Sequence, residues 1–92
     1  MDVILVRLVS MACRDDDSQY YQKHFTLPLA PFPGLCVTLG WNFWPSPITT
    51  VVTNGQYVFC ELPEVTVPNF EAKRMFTHGW KPAGKEPYEV VA

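Results

Sequence analysis

Apolar and polar residues along this chain alternate mostly with a period of two, the spacing that sorts an extended strand into two faces. The opening run, Val3 to Ala12, departs from that rule by being apolar on both sides. One face carries Val3, Leu5, Arg7, Val9 and Met11, the other Ile4, Val6, Leu8, Ser10 and Ala12. Such a run predicts a strand covered from above and below. Arg7 is the misfit, and its charge predicts that its face meets water or a partner's carboxylate.

"CRDDDSQ" follows and reads as a polar turn. "YYQKHFTLPL" returns as a second strand, with Tyr21, Lys23, Phe25, Leu27 and Leu29 on one side and Tyr20, Gln22, His24 and Thr26 on the other. "APFPG" is a turn fixed by its prolines. The next segment, "GLCVTLGW", sets Leu35, Val37, Leu39 and Trp41 against Cys36, Thr38, Gly40 and Asn42, which predicts a half-buried strand.

The clearest local signal is Asn54-Gly55 between two β-rich runs, the mark of a hairpin with a two-residue loop. That loop would pair Thr53 with Gln56, Val52 with Tyr57 and Val51 with Val58. Ile48, Val52, Tyr57 and Phe59 then share a face, and Thr49, Val51, Val58 and Cys60 share the other. "EVTV" adds a short edge strand ended by Pro68. Asn69 suits an N-cap, Ala72, Met75 and Phe76 recur at helical spacing, and Gly79 suits a C-terminal stop. Together they predict one short helix near residues 70–78, stable only when docked. "KPAGKEPYEVV" reads as loop and then a last strand. The expected fold is mainly β (a β-rich α+β chain), an antiparallel sheet or small barrel of 5–6 strands, forming a single domain over 1–92.

Composition adds a question of cover. Of 92 residues, 48% are hydrophobic and only 17% charged, and a chain this short leaves a large share of its surface in water. Either a dense aromatic core or a subunit interface must take up the surplus; self-association, with a dimer favoured, is the expectation. The stretch "GWNFWPSP" sharpens it. Trp41 continues the apolar face of its strand, whereas Trp44 leaves from the opposite face, immediately before Pro45. Trp44, Tyr57 and Trp80 are therefore the candidate contact residues, since aromatic side chains concentrate at protein interfaces. Alternatively the same rings line a small-ligand pocket, with His78 or Arg74 supplying polarity.

Chemistry is thinly represented. Three cysteines, Cys13, Cys36 and Cys60, lack a C-x-x-C pair and read as small buried hydrophobes. Asp15, Asp16 and Asp17 lack the alternation and glycine of a calcium loop. His24 and His78 read as surface residues, and Cys60 lies mid-strand, a poor place for a nucleophile paired with His78. No nucleophile-elbow, phosphate-loop or dinucleotide-binding glycine pattern occurs. The expectation is a non-enzymatic chain with no metal and no cofactor. A net charge of −2 gives no general attraction to nucleic acid. Asp2 and Arg7 spoil an export signal, and the apolar run is far shorter than the roughly 20 residues that span a bilayer. A cytoplasmic binding or assembly module, acting through protein–protein contact, is the reading the sequence supports.

Overall fold

The structure is a computed structural model that describes residues 1–11, 14–38, 45–67 and 74–90, with the backbone alone at 11 and 14–17. Its strands, in chain order, are β1 (Asp2–Met11), β2 (Arg14–Thr26), β3 (Cys36–Val37), β4 (Ser46–Pro47), β5 (Thr50–Thr53), β6 (Val58–Val67) and β7 (Lys81–Gly84). A helical turn, α1, occupies residues 74–77 between β6 and β7. Five strands form one sheet in the order β5-β6-β1-β2-β7, and β3 and β4 form a separate two-stranded ribbon. The chain is mainly β, and its main sheet is open, not closed into a barrel. No helix among the described residues is long and apolar enough to cross a membrane.

β1 takes the middle place that its two apolar faces demand. It pairs antiparallel with β2, Val3 opposite Phe25 and Arg7 opposite Tyr21, and parallel with β6, Leu5 opposite Cys60. The parallel pair corrects the expectation of a purely antiparallel sheet. Periodicity reports that a segment is extended, not which way its neighbour runs. Here β5 and β6 form a hairpin, and it is β6, the returning arm, that lies against β1.

β6 also absorbs two segments that the sequence keeps apart. It runs unbroken through Pro63 to Val67, so "EVTV" is the far half of β6; β5 reaches only to Glu61, and among the described residues this half pairs with β1 alone. Proline has no N–H to give a ladder. The pairing with β1 slips between Arg7 and Val9, opposite Leu62 and Val65, so that Pro63 falls in the irregular stretch.

Each face of the sheet is covered differently. On one, Val3, Leu5, Val9, Tyr21, Cys60 and Leu62 pack beneath Val37, Ile48, Met75 and Trp80. On the other, Ile4, Val6 and Phe59 are buried against Tyr20, Tyr88 and Val90. The strand-face sorting of β1 therefore holds. Arg7 is corrected: it is 1% exposed, and its Nη2 donates to Ser46 Oγ at 2.8 Å, because β4 lies over this face where water was expected. Burial also lowers the guanidinium pKa.

The expected turn is corrected likewise over 14–19, since β2 begins at Arg14 and includes the aspartates as strand. The expected last strand is displaced. β7 follows Trp80 at once, and residues 85–90 run on as turn and loop.

Gly79 ends the helix as its position predicts. It takes φ 88°, Trp80 N–H donates to Met75 O at 2.9 Å, and Gly79 N–H donates to Phe76 O at 3.1 Å. These two bonds are the Schellman pattern, and they bring Trp80 and Met75 into one buried cluster. A Cβ at Gly79 would meet nothing nearer than Lys23 Cε at 3.9 Å. Gly79→Ala should therefore lose stability through conformation alone, by about 1–2 kcal/mol. A urea titration checks this; an unchanged midpoint would show that the left-handed turn is not what stops the helix. The expected N-cap, Asn69, lies outside the described residues.

Candidate contact surface

The three aromatic candidates separate on inspection. Trp80 is 2% exposed and belongs to the core beneath the sheet. The Schellman turn reverses the chain there and swings the ring of this candidate contact residue inward. Tyr57 is 36% exposed at the tip of the β5–β6 hairpin. Trp44 lies outside the described residues, as do Trp41 and Leu39. Over 35–38 the expected alternation holds, with Val37 buried and Cys36 and Thr38 exposed, although the strand itself spans only Cys36–Val37.

Tyr57 owes its exposure to the loop. The observed pairs are Thr53–Val58, Val52–Phe59, Val51–Cys60 and Thr50–Glu61, two residues displaced from a two-residue turn. Asn54 explains the shift. Its side-chain oxygen accepts the N–H of Gln56 at 2.9 Å and of Tyr57 at 2.8 Å, while Thr53 Oγ1 donates to Tyr57 O and accepts from Gly55 N–H. These side-chain bonds widen the loop to residues 54–57, with Gly55 alone supplying a positive φ of 90° among the glycines there. A displacement of two keeps every strand residue on its face. Val51, Val58 and Cys60 still pack together; Tyr57 leaves the strand and points out at the tip.

Other apolar side chains at the surface went unmarked by the sequence pattern. Leu29 is 45% exposed and Phe32 48%. Leu29, expected on the core face, follows the end of β2, where strand alternation no longer applies. It borders a groove of about 200 Å³ lined also by Phe25, Leu27, Leu35 and Val37. Phe32 belongs to the turn that closes on Leu35, and this turn is pinned beside β5: Gly34 N–H donates to Ile48 O at 2.8 Å and Ile48 N–H to Leu35 O at 2.9 Å. The proline-glycine turn signal predicts a bend there but gives no hint of what it leans on.

On the opposite face a strap of residues 87–90 covers the sheet. Gln22 anchors it, its Nε2 donating to Pro87 O at 3.0 Å and to Glu89 O at 2.6 Å. That bonding is why a glutamine from the nominally polar side of β2 is only 4% exposed. Tyr88 meets the Phe59 ring edge-on, centroids 5.8 Å apart, and its hydroxyl donates to Glu61 Oε1 at 3.4 Å. Burial first, then the neighbouring Glu61 carboxylate, raises the Tyr88 phenol above its ordinary 10.0. The raised value makes the neutral phenol the stabilising form. Its contribution is complete below pH 10 and is lost as pH rises through the higher folded value. Wild type should thus lose stability above pH 10 more steeply than Tyr88→Phe, as thermal melts across pH 8–11 would show; parallel curves would refute the coupling.

Among the described residues the chemistry-bearing side chains do not converge. Cys36 is exposed, which corrects its expected burial, while Cys60 is buried, with its thiol pKa raised by that burial; Cys13 lies outside the described residues. His24 and His78 are both exposed. Among the described residues no group of three or more His, Cys, Asp or Glu side chains could hold a metal ion. Tyr57 and Trp80 flank opposite edges of the sheet, beside β5 and β7, so they do not line one pocket. No protein-family model, curated protein or solved structure matches this chain.

Proposed function

We propose that the chain is a small non-enzymatic binding or assembly module that acts through protein–protein contact and associates with itself as a dimer. One observation carries this reading: two exposed apolar side chains, Leu29 and Phe32, lie on connected parts of the surface, while Phe76, 50% exposed, stands on α1 against Tyr21. Leu29 borders the groove that Leu35 helps to line, Leu35 closes the turn that displays Phe32, and that turn is bonded to Ile48 just before β5. Single exposed apolar residues are ordinary, but a connected set of this kind marks a contact. Tyr57, at the far end of β5, is the contact residue kept from the sequence. Trp80 is not, because a ring 2% exposed has no face to offer a partner.

Dimerisation couples stability to concentration. The urea midpoint should rise by several tenths of a molar for each tenfold increase in chain concentration, reflecting about 1.4 kcal/mol per decade. A midpoint independent of concentration would remove self-association from the proposal.

A further inference from the structure

The two edges of the main sheet are built differently. β7 reads Lys81-Pro82-Ala83-Gly84, with Lys85 following and donating to Ser18 O. Lysine and proline are the residues that keep foreign strands off an edge. β5 reads Thr50-Val51-Val52-Thr53, with neither charge nor proline, and among the described residues it is paired on one side only.

Which of its main-chain groups are open follows from the hairpin. Asn54 N–H donates to Tyr57 O, and bonded and non-bonded pairs alternate along antiparallel strands. Val52–Phe59 and Thr50–Glu61 are then the bonded pairs. Val51 and Thr53 consequently aim their N–H and C=O groups away from β6.

We infer that a second copy of this chain pairs antiparallel with β5 about a two-fold axis at Val52, continuing the sheet from one copy to the other. This rests on the self-association proposed above and names its surface. A two-fold axis perpendicular to the sheet keeps like faces together, so residue numbers across the pair must sum to an even value. Centred on Val52, that sum is 104. Val51 of each copy then meets Thr53 of the other, and every outward donor and acceptor finds a partner. Centred on Val51, by contrast, Thr53 would meet Thr49, whose N–H is already given to Glu61 O at 2.8 Å. The Val52 register also draws the hairpin tip of one copy along residues 47–50 of the other. There the exposed Tyr57 comes towards the Phe32 turn bonded to Ile48. Without charge on β5, two identical edges meet with no like-charge repulsion.

The register singles out one residue that faces its own copy. In a non-bonded antiparallel pair the Cα atoms lie about 4.5 Å apart, within the range a disulfide spans. Mild oxidation of Val52→Cys, in a Cys36→Ser background, should give a covalent dimer above the level of the parent. Thr50→Cys should not, its counterpart lying about 14 Å off along the strands. Val52→Lys and Val52→Glu should each lose the dimer by light scattering, and an equimolar mixture should recover it, circular dichroism confirming the fold of each. Should the charged variants fail to fold, the cysteine pair decides alone. A wild-type dimer that persists in Val52→Lys and does not cross-link through Val52→Cys would overturn the edge pairing while leaving self-association standing. A monomeric wild type would overturn both.

Discussion

Trp80→Ala is expected to remove about 3–5 kcal/mol of stability, the range for emptying a large buried ring from a core. A domain of this length holds only about 5–14 kcal/mol in all. The substitution should therefore lower the urea midpoint by about 2 M or more, and leave part of the population unfolded at physiological temperature. The magnitude separates two roles. A surface contact residue could be cut back at a cost within about 0.5 kcal/mol, losing association and keeping fold. Trp80, 2% exposed and sharing its cluster with Met75, Val37 and Ile48, should do the reverse. A stable, folded Trp80→Ala chain would mean that the helix and ribbon do not close over the sheet as described.

Phe59→Ala should be nearly as damaging, by about 3–5 kcal/mol, and should act on the other face. Phe59 is fully buried and is the seat of the Tyr88 ring. Its loss should release the strap, so amides of 88–90 should exchange faster than the residual global stability allows. Combining it with Tyr88→Ala should give a cost below the sum of the two, by about 0.5–1.5 kcal/mol for the edge-on pair. Additive costs together with a protected strap would show that Gln22 alone holds it.

Much of this fold is written locally. β1 is legible because ten successive positions contain one charged side chain after Asp2, so only a strand walled on both sides suits it. The hairpin is legible too, with Val51, Val58 and Cys60 on one face as expected, but Ile48, before β5, packs with them and not with Phe59. The hairpin's register is not legible, because the Asn54 side-chain oxygen takes the Gln56 N–H that a tight turn would give to Thr53 O, and the Tyr57 N–H beside it. Strand direction is invisible to periodicity, and so the parallel pairing of β1 with β6 had no local sign. Pro63 stands where a strand ordinarily ends, and only the slipped pairing with β1 carries β6 past it. The inward turn of Trp80 has a local sign. A glycine stop followed at once by a large apolar residue, five positions past Met75, is the sequence form of a Schellman cap, whose hydrophobic contact points inward. The contact surface was only partly legible, since Phe32 is displayed by bonds to Ile48 that no spacing rule connects.

Light scattering on the eluted wild-type chain tests the central claim most directly. Cover for the exposed apolar groups by a second copy predicts a mass twice the 10.5 kDa of the chain at high concentration, falling towards one chain on dilution. A mass of 10.5 kDa at every concentration would contradict it.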